Sequence, residues 1–113
     1  MAFAKAIEPG LSVDMDRMAE GARETSGFLK ALAHESRLLI LCYLLSGEKS
    51  VGELEAFLEL RQSTVSQQLA RLRLEGLVAA RRDGKTIYYS IASDKARSVI
   101  GVLYSAFCDV ETV

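Results

Sequence analysis

Ser50-Val51-Gly52-Glu53-Leu54-Glu55-Ala56-Phe57-Leu58 opens the stretch that decides the fold, and Gln62-Ser63-Thr64-Val65-Ser66-Gln67-Gln68-Leu69-Ala70-Arg71-Leu72 follows it. Ser50 and Glu53 stand at capping-box spacing: the serine hydroxyl accepts from the third residue's amide while the glutamate reaches back. A short helix over Val51–Leu58 is the consequence. A second helix begins near Ser63 and ends before Gly76, with Val65, Leu69 and Leu72 at i, i+4 and i+7 on one buried side. Ser63, Gln67 and Arg71 project from the opposite side, flanked by Thr64 and Ser66, and Leu74 also lands there. Beyond it, Leu77–Arg82 and Lys85–Ile91 flank Asp83-Gly84, a strong hairpin signal in which both turn residues accept positive φ. Ile87, Tyr89 and Ile91 alternate with Thr86, Tyr88 and Ser90, which predicts one buried face.

Working outward, an amphipathic helix is expected from about Asp14 to Leu32, carrying Met15, Met18, Ala22, Phe28, Leu29 and Leu32 as one stripe. The segment from about His34 to Leu45 is apolar nearly all round and reads as the buried central helix. Ser46-Gly47 ends it, glycine being suited to the left-handed residue after a helix. A last helix starts at Ser93-Asp94, with Ala96, Val99, Ile100, Leu103 and Phe107 on its apolar side. The expected order is four helices, a two-stranded hairpin and a fifth helix, mainly α.

With 113 residues, half of them hydrophobic and 26% charged, the chain is a single globular domain. Its longest unbroken apolar run, Leu38–Leu45, is far short of the roughly 18 residues a membrane span needs. Met1–Ala6 lacks the apolar segment of a signal peptide, and Met1–Val13 reads as a flexible tail. Two cysteines are too few for a secreted disulfide scaffold. A cytoplasmic protein is expected, with further core borrowed from a second subunit.

The net charge of −1 conceals a strong asymmetry. Residues 1–60 carry 6 basic and 10 acidic side chains, whereas residues 61–85 carry 6 basic and only 2 acidic ones. Arg61, Arg71, Arg73, Arg81, Arg82 and Lys85 form this local cluster, which is what a phosphate-facing surface needs. A short helix, a tight link and a second helix with a polar outer face make a helix-turn-helix candidate. The second helix is sized for a major groove, where Ser63, Thr64, Ser66, Gln67 and Gln68 offer hydrogen bonds and Arg71 reaches guanine or phosphate. The hairpin, through Arg81, Arg82 and Lys85, is placed to meet the backbone or the neighbouring minor groove. The expected partner is double-stranded DNA.

Ala31-Leu32-Ala33-His34-Glu35-Ser36-Arg37-Leu38, Gln62–Leu69, Gly76-Leu77-Val78 and Arg81-Arg82-Asp83-Gly84-Lys85 together resemble the ArsR-type winged helix-turn-helix repressors. The resemblance spans about Leu29 to Ile91. It implies a homodimer joined through the first and last helices (14–32 and 93–110), bound to an imperfect inverted repeat in promoter DNA and released by an effector. The stripes on those helices agree with a dimer interface, although packing within one chain would produce the same pattern.

Many such repressors sense metals, but the ligand positions are not met. The cysteine pair at the start of the third helix would fall around Ser50 and Gly52, and no histidine follows His34 to join Asp94 on the last helix. A tetrahedral zinc site needs three or four ligands. Neither a metal nor a cofactor is expected, and His34 reads as a residue at the start of its helix. Cys42 and Cys108 remain. As residues they are compatible with two small buried hydrophobes. Their placement on the second and fifth helices resembles the reactive-sulfur-sensing branch of the family, which implies a persulfide-responsive thiol pair. In that branch the reduced protein binds DNA, and a disulfide or polysulfide bridge weakens binding. The apolar neighbours of Cys42 should raise its pKa, while Tyr43, Tyr104 and Phe107 flank the thiols.

Four alternatives stand beside this one. A Cys42–Cys108 disulfide could answer general oxidants, or another effector could act with both cysteines structural. A thiol enzyme finds no support, for there is no Cys-x-x-Cys, no nucleophile beside a base and no phosphate-cradling glycine loop. A winged helix used for protein contacts would make Arg71 and the Arg81–Lys85 hairpin dispensable.

Overall fold

Ile40, Leu41 and Leu44, each fully buried, form the centre on which the other elements pack. The computed structural model describes residues 14–108. In chain order the elements are α1 (Met15–Leu32), α2 (Glu35–Leu44), β1 (Lys49–Ser50), α3 (Val51–Leu58), α4 (Gln62–Leu74), β2 (Val78–Asp83), β3 (Thr86–Ile91) and α5 (Asp94–Phe107). Five helices and a β wing therefore stand in the expected order, with one added strand. The tail expected over Met1–Val13, and residues 109 and 110 of the last helix, lie outside the described residues.

The helix starts follow from local capping chemistry. Asp14 accepts from the amides of Asp16 and Arg17, His34 Nδ1 accepts from Ser36 N, and Ser93 Oγ accepts from Ala96 N. At α3 the box closes in both directions, Ser50 Oγ accepting from Glu53 N at 3.1 Å and Glu53 Oε1 from Ser50 N at 2.9 Å. His34 thus caps α2 from outside it. Each cap satisfies amides that the first helical turn leaves without partners.

Ala31 and Leu32 from α1, Leu54 from α3, Val65, Leu69 and Leu72 from α4, Leu77 just before the sheet, Val78 and Ile91 in it, and Ala96 and Ile100 from α5 complete the core. The three-residue set on α4 is the one its spacing predicts. Among the described residues no polar or charged side chain is buried, so the core is held by apolar burial alone. None of the described helices is long and apolar enough to cross a membrane.

Four local expectations are corrected. Lys49–Ser50 adds an edge strand, pairing antiparallel with Tyr89 and Tyr88 to give the order β1-β3-β2. Two residues are too few to show a period of two, which is why the strand is invisible in sequence. The hairpin turn is Gly84-Lys85, not Asp83-Gly84: Asp83 pairs with Thr86, and Gly84 alone takes positive φ, at 65°. Along β3 the burial does not alternate, because Tyr88 lies against the Arg81 guanidinium and opposite Ser50 and so is also half-covered. Finally, α2 is not enclosed all round. Leu39 is exposed and Cys42 and Tyr43 are half-buried on a side that opens to solvent.

The stripes on α1 and α5 are only partly used within the chain. Of the stripe residues Leu32, Ala96 and Ile100 are buried, whereas Met15, Met18 and Leu29 on α1 and Phe107 on α5 stand exposed, Phe107 at 82%; Val102 and Tyr104, off the α5 stripe, are exposed as well. These two outer helices carry most of the large apolar side chains that the fold leaves in water.

Candidate DNA-reading surface and thiol cleft

Helix α4 is fastened by Val65, Leu69 and Leu72, so its orientation is set by the core and its other side is free to face a ligand. Ser63, Ser66, Gln67 and Arg71 are exposed on it, while Thr64 and Gln68 are half-buried. Arg61, exposed just before the helix, and Arg73 extend the positive strip. The turn that presents α4 is tight: Glu59 closes α3 with φ 56° and donates its amide to Glu55 O. A left-handed residue there stops one helix so that Leu60 and Arg61 can start the next.

The side chains chosen from sequence are not equivalent. Gln67 is exposed, but Gln68 Oε1 accepts a hydrogen bond from Arg37 Nη1 at 3.1 Å. Arg71 lies 3.4 Å from Glu75 in an i, i+4 pair at the surface, which a phosphate can readily displace because exposed pairs are weak. On the wing, Arg81 is bound by both oxygens of Glu48, at 3.0 and 2.7 Å, and sits 4.8 Å over the Tyr88 ring. The Arg81 bonds hold the Glu48 carboxyl below the usual carboxylate range, and the same bonds raise the guanidinium. Arg82 and Lys85 are exposed nearer the tip. Exposed positive charge near the tip of the wing is thus concentrated in Arg82 and Lys85, with Arg81 paired to Glu48.

A second feature lies on the open side of α2. Leu39, Cys42, Tyr43, Leu45, Ser46, Phe57, Tyr104 and Cys108 line an open cleft of about 600 Å³. Both cysteines are free, Cys42 half-buried and Cys108 exposed at the end of α5. Burial pushes the Cys42 thiol up, and the nearby Cys108 adds to the shift by disfavouring a second negative charge beside it. Tyr43 and Phe57 stack with centroids 4.1 Å apart and planes 10° from parallel, and Lys49 Nζ lies 4.9 Å from the Tyr43 ring centroid. Tyr43 and Tyr104 flank the thiols as expected, whereas Phe107 does not line the cleft.

Sequence patterns missed three participants. Phe57 is half-exposed on α3 beside Leu58 and could have been noticed as an aromatic off the buried side. Arg37 and Glu48 carry no local signal, since their partners Gln68 and Arg81 lie 31 and 33 residues away.

Comparison with known proteins bears on the family and the fold. Residues 34–80 match the family described as bacterial regulatory protein, arsR family. The biofilm growth-associated repressor of Agrobacterium fabrum is 48% identical over 99 residues, covering 88% of this chain and 85% of that protein. The reduced form of HlyU from Vibrio cholerae superposes with a TM-score of 0.80 at 43% identity, over 82% of this chain and 98% of that one. The homodimeric winged helix-turn-helix DNA-binding domain of Mb0332 from Mycobacterium bovis superposes with a TM-score of 0.71 at 32% identity, covering 88% and 89% of the two chains. Identity of this level over nearly the whole fold leaves one assignment: the chain belongs to the ArsR family of winged helix-turn-helix, DNA-binding transcription regulators, which are not enzymes.

Proposed function

We propose that this protein is a cytoplasmic homodimeric repressor that binds an imperfect inverted repeat in promoter DNA when reduced and is released when Cys42 and Cys108 react with persulfides. The observation that carries it is the shared cleft: two cysteines far apart in sequence line one solvent-open, aromatic-walled space. Ser63, Thr64, Ser66 and Gln67 read base edges, while Arg71, Arg82 and Lys85 meet phosphates. The exposed stripes of α1 and α5 supply the dimer contact, and a two-fold dimer presents two α4 helices to two half-sites.

The chemistry balances without an external oxidant other than the persulfide. Cys108, the more accessible thiol, attacks as thiolate on the outer sulfur of a low-molecular-weight persulfide. It becomes a persulfide itself and releases the small thiol. The Cys42 thiolate then attacks the inner sulfur of that Cys108 persulfide, closing a disulfide and expelling hydrosulfide. If Cys42 is first persulfidated as well, the same step closes a trisulfide, again with loss of one hydrosulfide. Joining α2 to the end of α5 shifts the dimer helices and the spacing of the two α4 helices, and a coupling of about 1–3 kcal/mol changes occupancy 5- to 150-fold.

Fluorescence anisotropy on the promoter DNA upstream of this protein's own gene tests the proposal. Reduced protein should bind tightly, lose binding on persulfide treatment and regain it with reductant. Peroxide run in parallel separates a general oxidant response from sulfur transfer. Cys42→Ser and Cys108→Ser should each bind DNA and fail to respond; a full response from either single variant rules out the paired-thiol switch.

A further inference from the structure

Helix α1 ends with carbonyls that have no partner within the helix, as every helix does. Two of them are met by one side chain from the next helix. Arg37 Nε donates to Ala31 O at 2.6 Å and Arg37 Nη2 to Lys30 O at 3.3 Å. A cation at a helix C-terminus is favoured by the helix dipole as well as by these bonds. The third arm of the same planar fork, Nη1, donates to Gln68 Oε1 on α4 at 3.1 Å. One half-buried guanidinium thereby joins α1, α2 and α4.

The chemistry of the pair dictates the orientation of Gln68. Arginine has donors and no acceptor, so the amide oxygen, and not the nitrogen, must face it. With that oxygen turned to Arg37 and one of its two lone pairs taken, Gln68 presents its N–H groups to DNA. A glutamine that reads adenine needs both ends of its amide, accepting from N6–H and donating to N7. Half-buried and turned toward Arg37, Gln68 is poorly placed for this, whereas its exposed neighbour Gln67 is free to do it.

We propose that Arg37 is a positioning residue for DNA recognition: it holds Gln68 as a donor that contacts backbone phosphate, leaves base reading to Gln67 and its hydroxyl neighbours, and ties the tilt of α4 to the end of α1. This rests on the assignment of α4 as the DNA-reading helix made above. Because α1 also carries an exposed apolar stripe, the link runs from the proposed subunit contact to the reading surface.

The test selects duplexes from a randomised library with the full-length reduced protein, then measures binding to the selected duplex and to a scrambled one of equal length. Gln68→Glu keeps an acceptor for Arg37 but replaces the donors with a charge that repels phosphate. It should weaken both duplexes alike, roughly 10-fold, and leave the selected bases unchanged. Gln67→Ala should change the selected bases. In Arg37→Lys a single ammonium cannot span three acceptors, so Gln68 is released and base preference at one position per half-site should shift. The double variant Arg37→Lys/Gln68→Ala should lose that new preference. A merely structural role for Arg37 would lower affinity and melting temperature together without altering the preferred bases, and that result overturns the proposal. So does a change of selected bases in Gln68→Glu. Failure of the wild-type protein to enrich any sequence overturns the assignment of α4 itself, and this inference with it.

Discussion

Arg81 donates to both carboxylate oxygens of Glu48, at 2.7 and 3.0 Å, while its guanidinium lies 4.8 Å over the Tyr88 ring. Glu48 sits in the short link between α2 and β1, so the pair joins the base of the wing to the segment that leaves the thiol cleft at Leu45 and Ser46. On the open surface such a pair adds little to stability. Its consequence is electrostatic, because one of the basic side chains of the 61–85 cluster is neutralised before DNA arrives.

Glu48→Gln should therefore tighten DNA binding. Releasing Arg81 to a phosphate adds about one unit to the slope of log affinity against log salt. At low salt the variant should bind several-fold more tightly, with the advantage vanishing as salt rises. Anisotropy titrations at four salt concentrations measure this, and an unchanged slope would place Arg81 away from phosphate.

The exposed stripe of α1 gives a separate expectation. Leu29 is 51% exposed in the single chain, so Leu29→Glu should leave the protomer folded while placing two like charges across a two-fold contact. Light scattering should show a dimer for the wild type and a monomer for this variant. DNA affinity should fall at least 100-fold, since one reading helix replaces two. A dimer that persists in this variant would move the subunit contact away from the middle of α1.

Cys42 should titrate above the ordinary thiol value of about 8.5, because burial and then Cys108 both disfavour its thiolate. The rate of Cys42 alkylation against pH, followed by mass spectrometry, should have its midpoint above that value. In Cys108→Ser the midpoint should fall but stay raised, burial being the larger cause. The sign for stability follows. The unfolded chain releases this proton first, so the contribution is complete below the unfolded pKa and is lost as pH rises through the folded one. Melting temperature should drop on the alkaline side, and less so in Cys42→Ala relative to its own value at neutral pH.

Glu59 holds a left-handed backbone at φ 56°, between α3 and α4. A side chain there costs energy that glycine avoids. Glu59→Gly should stabilise the fold by about 0.5–1 kcal/mol in urea unfolding. Specific DNA binding should be unchanged, because the tight link between α3 and α4 keeps its shape.

Much of this architecture was legible in residues 50–91 because the interactions that define it are local. A capping box spans three residues, an amphipathic helix repeats within four, and a glycine turn is a property of one or two positions. Ser50 with Glu53, the Val65–Leu69–Leu72 set and the wing hairpin are all of this kind. The strand at Lys49–Ser50 was not legible, for it exists only through pairing with Tyr88 and Tyr89. The near-uniform apolar run of α2 likewise hid which residues would be covered, since Ile40, Leu41 and Leu44 are buried only once the other elements surround them.

The sequence by itself determined the order of the five helices and the wing hairpin, the polar side of α4, the basic cluster and the apolar stripes of α1 and α5. Each follows from spacing along the chain and from the free energy of burying apolar surface. Only the tertiary structure decided that Cys42 and Cys108 share a cleft, that Gln68 answers to Arg37, and that Arg81 answers to Glu48. Those pairings depend on how α2, α4, α5 and the wing pack against one core. Two residues with no local relationship become neighbours when the elements carrying them bury their apolar sides together.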